Sequence, residues 1–151
     1  MAKQYLAPSA VVVGDVILGD QVSIWHGAVL RGDSGTITVG DRSNIQEHCV
    51  LHEAVTVGSG VSVGHGAILH GCTIGDDCVI GMGAIVLNDA KIGNRCLVGA
   101  GALVTGKMDA PDGSLIVGNP AKVVKELTAE QIDYILKDAE NYVNLAEQYL
   151  K

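Results

Sequence analysis

The chain has 151 residues, 48% of them hydrophobic, with 20 Gly, no Phe and a formal net charge of −7. That length suits one domain, and an acidic chain with no Lys/Arg cluster to neutralise a phosphate backbone is not a nucleic-acid binder. No uninterrupted apolar run suits a membrane span, and no charged-then-apolar leader opens the chain, so a cytoplasmic protein is expected.

From about Val11 onward an aliphatic residue recurs every six positions, often followed by Gly: Leu18-Gly19, Val39-Gly40, Val57-Gly58, Val63-Gly64, Ile74-Gly75, Ile80-Gly81, Ile92-Gly93 and Val98-Gly99. Ile24, Leu30, Ile45, Leu51, Leu69, Val86 and Val104 fill the same frame. The phase slips twice, with nine residues from Leu30 to Val39 and five from Leu69 to Ile74. Such hexapeptide repetition predicts an all-β solenoid, a parallel β-helix in which each hexad makes one short strand and corner and three hexads close a triangular coil. The aliphatic side chains fill a prism too narrow for rings, and Gly40-Asp41, Gly75-Asp76 and Gly93-Asn94 suit its tight corners. About five coils are expected, ending near Gly106, with the β-helix assigned to residues 1–110.

Cys49, Cys72, Cys78 and Cys96 show no CxxC pairing and are expected to be buried, reduced thiols. Cys78 and Cys96 are 18 residues apart, hence neighbours in the stack, which leaves a redox role open. Pro111, Gly113, Gly118 and Pro120 predict an irregular crossing segment over 111–127. Thr128-Ala-Glu-Gln131 is a capping box, and Ile132, Ile135, Leu136, Ala139, Tyr142, Val143, Ala146 and Tyr149 follow at helical spacing. One long α-helix is therefore expected over 128–151, packed along the prism within the same single domain.

Three histidines fall inside the repeat. His52 and His70 each follow an inward aliphatic, Leu51 and Leu69, and are 18 residues apart. They must point outward on one wall, about 4.8 Å apart as neighbouring strands. His65 lies two residues after Val63, on the preceding corner, and is poorly aimed at the pair within its own chain; a neighbouring subunit is one way to bring it in. Three neutral imidazoles leaving a fourth position for water make a catalytic-zinc donor set, although iron(II) and cobalt(II) accept the same ligands. His26 and His48 lack these positions and are read as structural, and Trp25 as a packed ring near an interface. Arg31 falls on the same column, one rung below His52.

The runs Leu30-Arg31-Gly32-Asp33, Asn44-Ile45-Gln46-Glu47, Gly64-His65-Gly66-Ala67, Leu69-His70-Gly71-Cys72 and Ile80-Gly81-Met82-Gly83-Ala84, with the Gly118-Asn119-Pro120-Ala121-Lys122 ending, resemble the γ-class carbonic anhydrase family, including its ferripyochelin-binding-protein-like members. The resemblance covers nearly the whole chain. It implies a left-handed β-helix, an exception to right-handed crossover, and a homotrimer with zinc at subunit interfaces, His52 and His70 coming from one chain and His65 from its neighbour. It implies CO2 and bicarbonate as substrates, an interface ion pair for Arg31 and Asp33, a water-orienting role for Gln46, and a pocket position for Tyr142, or for Asn144 if the alignment slips by two. The family's glutamate after the aspartate matched by Asp33 is Ser34 here, and its acidic loop between the first two histidines shrinks to the 12 residues from Glu53 to Gly64. A proton shuttle is thus missing and slow or buffer-dependent turnover is expected. Glu47 and Glu53 are available substitutes, read first as rim charges. Two other classes stay open: an acyl-coenzyme A thioesterase or hexapeptide acyltransferase, and a non-catalytic metal-, siderophore-binding or assembly protein.

Overall fold

A computed structural model describes residues 3–151 and shows a parallel β-solenoid of about six turns with one C-terminal helix. Its first wall stacks Tyr5–Leu6, Ser23–Ile24, Asn44–Ile45, Ser62–Val63, Val79–Ile80, Leu97–Val98 and Ser114–Gly118. The second wall takes the leading halves of Val11–Leu18 and Val29–Val39, then Val50–His52, Ile68–His70, Ile85–Val86 and Leu103–Val104. The third takes the trailing halves of the two long strands, then Val55–Val57, Thr73–Ile74, Lys91–Ile92 and Asp109–Ala110.

The hexad positions are the core: Ile24, Leu30, Ile45, Leu51, Val63, Leu69, Ile80, Val86 and Val104 are all 0% exposed. Leu51 pairs with Leu69, 18 residues on, whereas Leu30 pairs with Leu51, 21 on, and Leu69 with Val86, 17 on. The stack absorbs both slips without losing register, because the additional residues of the long step, around Asp33 and Ser34, bulge outward at the corner between the second and third walls. A ladder of side chains reinforces one edge. Asp41 Oδ1 accepts from the Asp20 amide at 2.8 Å, Asp76 Oδ1 from Ser59 at 2.9 Å, Asn94 Oδ1 from Asp76 at 2.8 Å, and Asp112 Oδ1 from Asn94 at 2.8 Å. Each corner Asp or Asn thus satisfies a backbone donor of the coil below.

The prism is longer than the expected five coils. Tyr5 and Ala7 start a turn below Val22, and the frame continues from Val104 through Ala110 to Ile116, all buried. The segment 111–127, expected to be irregular, carries the strand Ser114–Gly118 and a strand Ala121–Glu126 that folds back on it antiparallel, closing the upper edge. The prolines and glycines there turn the chain at corners and do not end the repeat.

The helix α1 (Ala129–Tyr149) opens on the capping box, Gln131 N–H donating to Thr128 Oγ1 at 3.2 Å and Thr128 N–H to Gln131 Oε1 at 2.9 Å. It runs back down the first wall, against the strands from Ser62–Val63 to Tyr5–Leu6. Ile135, Ala139 and Ala146 are its buried residues. Trp25 is a packed ring, as expected. Its ring lies 5.1 Å from Tyr5, 5.1 Å from Tyr149 and 5.7 Å from Tyr142, fastening the helix to the lowest coils, and its Nε1 donates to Ser23 Oγ at 2.9 Å. No helix of the described residues is long and apolar enough to cross a membrane.

Leu51→Ala, at a wholly enclosed position, should cost about 2–5 kcal/mol, whereas Thr128→Ala, losing only the helix cap, should cost about 1 kcal/mol. Urea midpoints of the two variants should fall in that order.

Candidate metal centre

The stack delivers the histidine column directly. Arg31 pairs with His52 and His52 with His70 in the strand register of the second wall. Both imidazoles are half-buried, with ring centroids 5.2 Å apart. His52 Nδ1 and His70 Nε2 face one another at 3.3 Å.

The remaining ring nitrogens decide the protonation of those facing atoms. His52 Nε2 lies 3.3 Å from Asp33 Oδ1, and an ionised carboxylate only accepts, so Nε2 carries the hydrogen and Nδ1 a lone pair. His70 Nδ1 lies 2.6 Å from the Asn88 side-chain oxygen Oδ1, which likewise accepts, leaving the lone pair on Nε2. Two lone pairs therefore confront each other, which is unfavourable unless a cation sits between them. Nitrogens at zinc-ligand distance on two vertices of a tetrahedron are about 3.3 Å apart. The donor pair thus fits a divalent first-row cation. Asp33 is itself held, its Oδ2 3.1 Å from Arg31 Nη1. Desolvation lifts the Asp33 carboxyl, but the hydrogen bonds from Arg31 and His52 and the charge of Arg31 outweigh it and hold the group below the ordinary aspartate range. Within the one chain described, Arg31 and Asp33 pair with each other and both side chains stay half exposed.

His65 stands apart. Its Nδ1 lies 2.8 Å from Glu47 Oε1, which again leaves Nε2 as the free nitrogen. It opens onto a cavity of about 260 Å³ lined also by Gln46, Met82, Tyr134, Asp138 and Tyr142. Within one chain, the described residues bring together His52, Glu53 and His70, with donor atoms all within 4.8 Å, and His65 is not among them.

Gln46 is buried in a directional amide chain. Asn44 Nδ2 donates to Ser62 Oγ at 2.9 Å, so Asn44 Oδ1 accepts from Gln46 Nε2 at 3.0 Å, and Gln46 Oε1 is left as an acceptor beside the cavity. Tyr142 lines the same cavity and also touches Trp25, so pocket wall and packing are both its work. Burial, with the charge of Glu47 next, pushes its hydroxyl up to about 12. Asn144 is exposed and is not among the residues lining the cavity.

The cysteines are free and buried. Burial pushes Cys49 up to about 11 and Cys72 up to about 12. Cys78 is pushed up by its hydrogen bond with Cys96 and by burial, and the same hydrogen bond lowers Cys96 to about 7; Cys49 and Cys72 behave as packing groups.

Sequence reasoning missed Asn88 altogether and read Glu47 as a rim charge. The signal was the repeat itself: Asn88 is 18 residues after His70 and Glu47 is 18 before His65, one coil away in each case. The Asn44–Ser62 contact that orients Gln46 has the same spacing.

Comparison with known proteins gives this geometry a family. The bacterial transferase hexapeptide (six repeats) family matches residues 71–106. A probable carbonic anhydrase of Methanocaldococcus jannaschii is 49% identical over 146 residues, covering 94% of this chain and 92% of that protein. The chain belongs to the γ-class carbonic anhydrase family. The γ carbonic anhydrase 2 of Arabidopsis thaliana mitochondria is 44% identical over 95% of the chain, which spans only 55% of that longer relative. A solved hexapeptide transferase family protein of Anaplasma phagocytophilum is 38% identical, with a TM-score of 0.87, 98% of this chain and 93% of that one being covered.

If Asn88 fixes the His70 tautomer as the 2.6 Å contact requires, Asn88→Leu should weaken zinc affinity by about 10–100-fold while the fold persists. Competition against a chromophoric chelator measures it; unchanged affinity would refute the role.

Proposed function

We propose that this chain catalyses metal-dependent, reversible hydration of CO2 to bicarbonate in the cytoplasm. Zinc or iron(II) is held by His52 and His70 of one subunit and a neighbouring subunit's His65 in a homotrimer. The observation that carries the reading is the convergence of two imidazole lone pairs at 3.3 Å, each ring locked from behind by an oxygen acceptor. His65 is prepared in the same way, with Glu47 behind it and Nε2 free, yet it does not join the pair's cluster in its own chain. A second copy supplies what one chain lacks.

The surface beside the histidine column supports assembly. The outward residues of the second wall are Val11, Val29, Val50, Ile68, Ile85 and Leu103, an aliphatic stripe in which Val11 and Val50 are 44% and 37% exposed. A continuous apolar stripe is characteristic of a surface that another subunit covers, and a head-to-tail contact between unlike walls closes into a ring.

When bound, the ion supplies a Lewis acid that brings the acidity of water toward neutral pH. The protein's own groups then position the reactants. Gln46 lies beside the same cavity as His65, so the subunit that contributes His65 also contributes the Gln46 Oε1 acceptor. That oxygen takes a hydrogen bond from the attacking water and turns a lone pair of the water toward CO2. Arg31 is a fixed positive charge on the histidine column and attracts the bicarbonate product. Tyr142 walls the cavity. The proton released with bicarbonate finds Ser34 where the family has glutamate, and a short connection in place of the acidic loop, so it leaves to buffer or by way of Glu47 or Glu53.

The hexapeptide transferase described for the 38% identical Anaplasma structure favours a second reading, acyl transfer or thioester hydrolysis on coenzyme A substrates. Stopped-flow CO2 hydration by zinc-loaded and anaerobically iron(II)-loaded protein separates the two. Activity should rise with buffer concentration and fall to background in His70→Ala. Silence from fully metallated protein would transfer the assignment to coenzyme A chemistry, and a fast rate independent of buffer would remove the missing-shuttle argument. Mixing inactive His65→Ala and His70→Ala chains should restore part of the activity, because some mixed interfaces regain a full set; no recovery would exclude sharing between subunits.

A further inference from the structure

Among the described residues, the cluster that one chain forms by itself is not the three-histidine set but His52, Glu53 and His70. We infer that Glu53 is a metal ligand, completing a two-histidine, one-carboxylate donor set that lets a single subunit hold its ion before a neighbour arrives. The inference rests on the metal-ligand role of His52 and His70 proposed above and extends it to a residue and a state which that reading leaves out.

Three observations meet here. The facing nitrogens of His52 and His70 are already at the separation of two ligands on one ion. Imidazole lone pairs bring no negative charge, so a divalent cation bound by them alone would keep its full charge in a half-buried place, and an anionic third donor is the group that offsets it. Glu53 is the carboxylate in position to do this, a carboxylate oxygen lying within 4.8 Å of one ring nitrogen of each histidine. Ligands at about 2.1 Å from one ion stand between about 3.0 and 4.2 Å from each other, according to the angle they make at the ion. A small rotation of the half-buried Glu53 side chain closes the difference.

The corner gives Glu53 its place. It follows His52 directly, with φ of +66°, and Gly71 follows His70 one coil above with φ of +62°. Glycine adopts this conformation without cost, whereas a side-chain-bearing residue gives up about 1 kcal/mol. What Glu53 adds over glycine is its side chain, set beside the imidazole pair. Asp33, the other nearby carboxylate, is engaged by Arg31 and by the far nitrogen of His52, on the outer side of the pair. The two acids therefore divide the work: Asp33 orients a ligand and Glu53 is one.

The test measures binding of zinc alone and the visible spectrum of bound cobalt(II), so it does not depend on turnover. His65→Ala should still take up one ion per chain, with affinity weakened by about 100-fold at most, and His65→Ala/Glu53→Gln should fall by about another 100-fold, toward His70→Ala. The cobalt(II) spectrum of His65→Ala should change on adding Glu53→Gln, and His65→Ala/Glu53→His should recover affinity, which a merely folded or misfolded chain would not do. Equal affinity in His65→Ala with and without Glu53→Gln would overturn the inference. Loss of all binding in His65→Ala would also overturn it while leaving the shared three-histidine site standing. Full binding by His70→Ala would remove both, because the ion would then lie elsewhere.

Discussion

Everything in this molecule depends on one constraint, that strands stack in register at intervals of one coil, about 4.8 Å apart. The inward aliphatic residues enforce it. Leu30, Leu51, Leu69, Val86 and Val104 form a column with no exposed surface, and a slip of one residue would turn that column to solvent. Because the core cannot slip, the outward side chains cannot either. Arg31, His52 and His70 are held on one line by contacts made behind them, not by contacts among themselves. A site in which two imidazole lone pairs oppose each other needs such a frame, since nothing in the pair itself favours the approach when no ion is bound.

The same spacing builds the supports. Asn88 behind His70, Glu47 behind His65 and Ser62 behind Asn44 all come from an adjacent coil. The fold therefore provides the ligands and the groups that select their tautomers by one device. The longer step around Asp33 is the exception: there the bulge swings a carboxylate back over His52, where the register alone would place Arg31.

Much of this was legible in the sequence, for a physical reason. A hexad repeat is a spatial ruler, so the solenoid, the pairing of His52 with His70 and the capped helix could be read directly. The reading stopped early at the upper end because Ala110 is small and Pro111 and Gly113 look like breakers, although they sit at a corner, where breakers belong. It started late at the lower end because Tyr5 and Ala7 are not the branched aliphatics of the repeat. At the site, Glu47 and Asn88 were hidden by their chemistry: a half-buried acid and an exposed amide look in the sequence like solvated residues, and only their one-coil neighbours give them away. Trp25 was legible as a packed ring, but its partners on the helix, more than a hundred residues later, were not.

The course of the C-terminal helix has a mechanical consequence. A solenoid is held only by nearest-neighbour contacts, so it opens from its ends, coil by coil. The helix crosses the lower coils of the first wall and is riveted to the lowest by Tyr5, Trp25 and Tyr149. It acts as a splint, joining coils that would otherwise fray independently. The upper coils are clasped by the short folded-back strand Ala121–Glu126. Thermal opening is thereby directed to the end away from the splint, and the coils bearing His52 and His65 lie in the stretch the splint spans.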